Sequence, residues 1–213
     1  ERAGVELRAI DGVAATRGPG LVGSLLVGLT VGKAIAWGLG KPFYAVHHLE
    51  GHLYSPFLAV PPDGCELQPA HAVPELFVGL IVSGGHTTLV EVESRRVLAL
   101  AETRDDAIGE AFDKLGKRMG LPYPQGPVVD ELAERGRAER FPLSVPVPGE
   151  SPYFSYSGLK TQTLLALEKL ERAAGGRTDE RDPKEPLSAE VIDLLAGFRA
   201  AAVRQLVDRL ERL

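Results

Sequence analysis

Cysteine, methionine and tryptophan each occur once in this 213-residue chain. The single Cys65 excludes an internal disulfide framework and any cysteine-built zinc cluster, and it accords with a reducing compartment. A basic surplus is also missing: 24 Lys and Arg stand against 29 Asp and Glu, a net charge of −5. Residues 1–75 carry 5 basic and 7 acidic side chains and residues 76–213 carry 19 and 22. Neither part has the broad positive footprint of a nucleic-acid surface. The greasiest stretch, Leu21 to Leu39, is interrupted by Gly23, Gly28, Gly32, Gly38 and the charge of Lys33, so it reads as too broken for a membrane span. The first residues show no basic region followed by an apolar one, the mark of a signal peptide. The chain opens on Glu1 in what reads as a helix and stops in another without a glycine cap, so a fragment lacking both ends is expected.

What is present is an ordinary globular composition, 44 % hydrophobic and 25 % charged, with length for one large domain or two small lobes. Residues 3–10 read as the end of a helix, residues 12–16 as a buried strand, and Gly18-Pro19-Gly20 as a turn. Residues 21–39 read as a buried helix that packs through its glycines and stops at Gly40. Residues 43–46 form a second strand and residues 47–58 a helix, an alternation that predicts a parallel α/β layer. Residues 61–74 read as a surface connection. Apolar strands are expected over residues 75–82 and 88–92, joined as a hairpin by Gly84-Gly85, with a third over residues 95–101. Helices follow over residues 105–119 and 159–170. Residues 121–127 and 149–158 read as loops, and residues 171–186 as a flexible excursion. Ser188 is placed as the N-cap of a last helix whose apolar face is Val191, Leu195, Phe198, Ala202, Leu206, Leu210 and Leu213.

Several short motifs have the residue types that chemistry needs. In His47-His48-Leu49-Glu50-Gly51-His52, His48 and His52 stand four apart, which puts both imidazoles on one helix face as ligands for a borderline metal. Spacing alone leaves open a surface cluster without a metal. The zinc-protease pattern is rejected, because Glu50 follows His48 by two positions rather than one. Gly18-Pro-Gly-Leu-Val-Gly23 fits a dinucleotide fingerprint formally, but no acid ends the next strand, and a tight turn serves as well. Ser83-Gly84-Gly85-His86-Thr87-Thr88 can cradle phosphate through glycines at positive φ and hydroxyl donors, or be a plain hairpin turn. Glu110 and Asp113 share a helix face that can hold ribose hydroxyls or simply face water. The run from Tyr153 to Thr161 mixes aromatics with Lys160, suiting either a stacked base or a packed loop.

Taken in order, GPGLxGSLLVG, HHLEGH, IVSGGHT, GEAFDKLGK, YPxGP and SYSGLKT closely resemble the tRNA N6-adenosine threonylcarbamoyltransferase family (TsaD). The resemblance covers nearly the whole chain. It implies an α/β fold of the actin-like ATPase class, shared with sugar kinases and heat-shock chaperones, with two lobes of mixed sheet and flanking helices, here incomplete at both termini. Residues 1–75 would be the remainder of the N-terminal lobe and residues 76–213 the first part of the C-terminal lobe, with SGGHT as its phosphate loop. His48 and His52 match metal ligands, for one divalent metal, iron(II) before zinc. Ile81, Val82, Ser83, Gly84 and Gly85 match a substrate-contacting strand end and loop. Asp113 matches a carboxylate on the adenine nucleotide (threonylcarbamoyl-AMP or ATP), and Gly126 a backbone contact to the same ligand. Ile81 stands where some relatives place a metal-reaching Tyr, which points to the bacterial branch. Gln125 departs from the usual YPGGP.

The implied activity is transfer of a threonylcarbamoyl group to N6 of the adenosine 3′ of the anticodon. The implied partners are tRNA and the related and ATPase subunits of the modification complex, in the cytoplasm and without a membrane. His86 is a tempting base, but no general base is assigned. The family's opening phosphate loop, its Asn contact and its third metal ligand, an Asp, have no counterpart in residues 1–213, so these residues alone are expected to be inactive. A scaffold lobe without catalysis is the alternative, and a metalloprotease is the weaker one.

Overall fold

The computed structural model describes residues 4–59, 68–69, 71–94, 96–144, 153–180, 182 and 185–213. Most of the expected connection at residues 61–74, with Cys65, and the first part of the loop at residues 149–158 lie outside them. The chain divides into two compact units, Glu1–Glu75 and Leu76–Leu213.

In the first unit the short apolar run after Gly12 makes strand β1 (Val13–Gly18), and Phe43–His47 makes β2. The two pair in parallel, Val13 opposite Phe43 and Thr16 opposite Val46. Helix α1 (Val22–Leu39) crosses between them and ends where Gly40 adopts the left-handed conformation that side chains resist, φ 62°. This is the expected parallel layer. Helix α2 (His48–Tyr54) leaves β2 without an intervening residue and tightens into a 3-10 turn at Ser55–Phe57. A short antiparallel pair, β3 (Leu58–Ala59) with β4 (Gln68–Pro69), follows.

Two readings of this unit need correction. The expected helix end at residues 3–10 is a single 3-10 turn, Leu7–Ala9. More important, α1 is not buried: only Gly32 and Ala36 are, while Leu21, Val22, Leu26 and Val27 are exposed and Trp37 is 89 % accessible. Of its glycines only Gly32 lies close to a neighbour: an added Cβ there would be 3.1 Å from the Phe43 ring and 3.3 Å from Ala15. The helix has 18 residues of mean hydropathy 1.6, so by length and composition it is long and apolar enough to cross a membrane, despite its glycines and Lys33. Its contacts with β1 and β2 are those of a helix laid on a sheet.

In the second unit β5 (Leu76–Val82) and β6 (Thr87–Glu93) form the predicted hairpin, Val82 opposite Thr87 and Leu76 opposite Glu93. Strand β7 (Arg96–Thr103) adds antiparallel to β6, and β8 (Tyr153–Phe154) adds parallel to β7, giving the order β5-β6-β7-β8. Helix α3 (Ile108–Arg118) shares a core with Leu89 and Ala101 of this sheet and packs on α4 (Gln125–Ala133). Helix α5 (Ser157–Ala174) and α6 (Ala189–Leu210) complete the layer.

One core unites them: Leu89, Leu115, Met119, Val129, Phe154, Tyr156, Leu159, Leu167, Leu194, Leu195 and Phe198 are all fully buried. The Phe112 and Phe198 rings meet edge to face at 4.8 Å. Ser188 caps α6 as expected, its hydroxyl accepting from the Val191 N–H at 3.3 Å. The apolar face of α6 is buried from Val191 through Ala202 but opens at its end, Leu210 being 40 % and Leu213 63 % accessible.

The flexible excursion begins later than expected, since α5 runs on to Ala174. Part of the rest is anchored. Glu171 is buried, takes Arg118 Nη2 at 2.8 Å and accepts the Thr178 N–H at 2.7 Å. Burial pushes its carboxyl up, but these donors outweigh it and hold the group below the ordinary range. The loop read at residues 121–127 ends at Pro124, because Gln125, Gly126 and Pro127 form the first turn of α4. A proline there gives up only an N–H that the helix does not use.

Candidate functional site

In the first unit, β2 runs straight into α2, which places His48 in the first turn of the helix and His52 one turn on. Both rings are exposed, and their Nε2 atoms converge to 3.2 Å with the rings at 72°. One Nε2–H donates to the other nitrogen, a contact that a cation would replace. Two imidazoles this far apart, each about 2.1 Å from a metal, would subtend about 100° at it, close to tetrahedral or octahedral geometry. The pair therefore fits two corners of a metal site. Among the described residues no group of three metal-ligating side chains completes it. Glu50 is exposed on the same short helix.

In the second unit, the Ser83–His86 turn is braced from within. The Ser83 N–H donates to the His86 carbonyl at 2.8 Å, and the Ser83 hydroxyl accepts the N–H groups of His86 at 3.0 Å and Gly85 at 3.3 Å. The phosphate-cradle expectation is thereby narrowed. Neither Gly84 nor Gly85 has positive φ. The Thr87 hydroxyl is buried and accepts the Ile108 N–H at 2.9 Å, capping α3, so it is not free for a ligand. What remains is the Gly84 N–H, the one amide of the turn that no described residue engages. A Cβ added at Gly84 or Gly85 would meet no atom within 4 Å. Neither conformation nor packing within the protein calls for glycine there, and the open space is where a ligand would approach. Ile81 is buried in the sheet and Val82 is 47 % exposed, so of the five strand-end residues only the turn presents its backbone.

The turn sits against the start of α3. A Cβ at Gly109 would come within 2.7 Å of the Ser83 carbonyl and 2.9 Å of Gly84 Cα. From there a cleft of about 350 Å³ follows the helix, bounded by Gly84, Glu110, Asp113, Lys114, Lys117, Tyr123 and Gln125. The four α3 residues stand at i, i+3, i+4 and i+7, one stripe of the helix. The two nucleotide-site residues expected from resemblance are brought together, since Asp113 Oδ1 accepts the Gly126 N–H at 2.7 Å. Asp113 thus caps α4 with one oxygen, and no described residue takes the other. Lys114 is committed to Asp106 and Glu110, whose hydrogen bonds push its ammonium up to about 12. Lys117 has no ion pair among the described residues.

The base-stacking reading of residues 153–161 is not what the structure shows. Tyr156 and Phe154 are fully buried, and Lys160 is paired with Asp106. Asp105 accepts from the Ser155 hydroxyl and from the N–H groups of Tyr156 and Ser157, so the motif is a packed joint between β7 and α5. Burial pushes the Asp106 carboxyl up, but Lys114 and Lys160 more than offset this and hold it low. Sequence reasoning missed Lys117, Tyr123 and Gln125 as cleft residues. Helical spacing from Asp113 pointed to Lys117, whereas Tyr123 and Gln125 had no periodicity to show them.

Comparison with known proteins agrees with these motifs. The model of the family described as TsaD, tRNA N6-adenosine threonylcarbamoyltransferase, matches residues 1–213. A relative of that name from Rhizobium meliloti is 46 % identical over 99 % of this chain and 52 % of its own length. One from Thermomicrobium roseum is 44 % identical over 100 % and 59 %, and one from Bordetella avium 45 % over 96 % and 57 %. The chain thus spans somewhat over half the length of the curated relatives it matches. With the family model matching from end to end, the chain belongs to the tRNA N6-adenosine threonylcarbamoyltransferase family.

Proposed function

We propose that the protein carrying this chain transfers the threonylcarbamoyl group of threonylcarbamoyl-AMP to N6 of the adenosine 3′ of the anticodon in tRNA, a cytoplasmic reaction. The observation that carries the reading is the α3 cleft, where an open glycine turn, an Asp113 oxygen and a Lys117 ammonium that no described residue engages share one channel sized for a nucleotide. The mixed α/β architecture and the boundary at Leu76 suit an actin-like ATPase fold with one lobe in each unit.

An exocyclic adenine amine is a weak nucleophile, so the rate would rest on positioning. Asp113 Oδ2 would accept a ribose hydroxyl while Oδ1 stays on Gly126, which fixes the carboxylate plane. The Gly84 N–H would take the phosphate charge, while Lys117, one helical turn beyond Asp113, would border the far end of the cleft. His48 and His52 would hold a divalent metal, with iron(II) the better candidate, and such an ion polarises a carbonyl when bound. No described side chain is assigned as general base. The net charge of −5 argues that tRNA is held with the help of partner subunits, a related one and an ATPase.

The test is transfer of labelled threonylcarbamoyl from its adenylate to tRNA by the complete protein and its partners. Asp113→Ala should raise KM for the adenylate at least tenfold. The double variant His48→Ala, His52→Ala should lower both bound metal and transfer. Unchanged transfer in both variants would overturn the reading.

A further inference from the structure

The α3 cleft has a direction. Its start is fixed by Gly109, which lies against Ser83 and Gly84, and its far end by Gly116, where an added Cβ would lie 2.6 Å from Gln125 Cβ and 3.0 Å from Val129 Cγ2. Seven residues of helix separate Gly109 from Gly116, a rise of about 10 Å. Asp113 stands between them. A nucleoside monophosphate laid along this line has its phosphate at the turn and its ribose at Asp113, which leaves its base beside Tyr123 and Gln125. Tyr123 is 83 % exposed and borders the cleft. Gln125 is held by its stem, which packs on Gly116, while its amide hydrogen-bonds to no described residue.

We infer that Gln125 is the base-reading residue of this cleft and recognises the N6/N7 edge of adenine, with Tyr123 stacking on the base. This rests on the nucleotide reading above and deepens it. The chemistry selects the edge. The Gln125 Oε1 accepts from the 6-amino group while Nε2 donates to N7. A 6-oxo purine presents two acceptors on that edge, which one amide cannot satisfy in either flip state. On the N1 edge an amide flip would serve both bases equally, so that edge would give no discrimination. Stacking on Tyr123 is indifferent to the base and supplies affinity without choice.

Calorimetric titration of the complete protein that carries this chain with AMP, IMP and 7-deaza-AMP tests this. The wild type should bind AMP about tenfold more tightly than either analogue. Gln125→Gly, and the volume-matched Gln125→Met, should bring all three within about twofold while keeping the Asp113 dependence. An unchanged AMP preference in both variants would overturn the inference, as would equal binding of AMP and 7-deaza-AMP by the wild type. Asp113→Ala separates this failure from that of the nucleotide reading: if it leaves AMP affinity untouched, both fall; if it weakens AMP while the base preference ignores Gln125, only the base-reading inference falls.

Discussion

Replacing Gly109 with alanine sets two opposed effects against each other at one atom. Alanine is the better helix former by about 1 kcal/mol, and in open space the change would stabilise α3. Here the new methyl would meet the Ser83 carbonyl at 2.7 Å and the Gly84 N and Cα at 2.9 Å. These are backbone atoms of a turn braced by its own hydrogen bonds, so they cannot swing away as a side-chain tip would. Overpacking against backbone that cannot yield falls in the upper part of the usual range, about 2–3 kcal/mol, which leaves a net loss of about 1–2 kcal/mol. With a urea m-value of about 2 kcal/mol/M, the midpoint of the second unit should fall by about 0.5–1 M. Far-UV circular dichroism is the probe, because the single tryptophan, Trp37, lies in the first unit. Gly84→Ala is the control: its methyl meets no atom within 4 Å, so stability should stay within about 0.5 kcal/mol while AMP affinity drops. A Gly109→Ala protein as stable as the wild type would refute the packing argument.

Two further outcomes follow from buried polar groups. Among the described residues the buried Tyr156 hydroxyl has no hydrogen-bond partner, and burial, then the charge of Asp105, pushes its ionisation up, so it stays neutral; Tyr156→Phe should raise the melting temperature by a few degrees, since about 1 kcal/mol of unmet hydration is removed, and a lower value would contradict it. Asp106 and Glu171 both have carboxyls held below their ordinary 3.8 and 4.5; the folded state binds fewer protons than the unfolded one as pH falls below about 4.5, so their contribution is full at neutral pH and lost through the acid range. Urea midpoints measured from pH 7 to pH 3 should show this loss, and Glu171→Gln should be weaker at pH 7 with a shallower acid slope; an unaltered slope would count against the Arg118 pairing as its source.

Much of this was readable from local signals. The two strands flanking Gly84-Gly85 declare themselves as apolar runs, Gly40 marks the end of α1, and Ser188 marks the start of α6. The convergence of His48 and His52 follows from helical spacing alone. What stayed hidden depends on partners distant in sequence. Asp105 and Asp106 are held by Ser155, Ser157 and Lys160, some fifty positions on, so the residues from Tyr153 read equally well as a stacking surface. Helix α4 was masked because Gly126-Pro127 has turn chemistry, and only the Asp113 carboxylate, thirteen residues earlier, shows it to be a capped first turn. The exposure of α1 was invisible for a different reason: hydropathy measures what a face would prefer to touch, not what touches it.

The internal bracing of the Ser83–His86 turn has a thermodynamic corollary. A loop that closes only around its guest loses chain entropy at the moment of capture. Here that loss was already met in folding, so occupancy should slow exchange at the Gly84 amide alone and leave those of Gly85 and His86 almost unchanged, and an arriving phosphate finds a rigid socket rather than one it must mould.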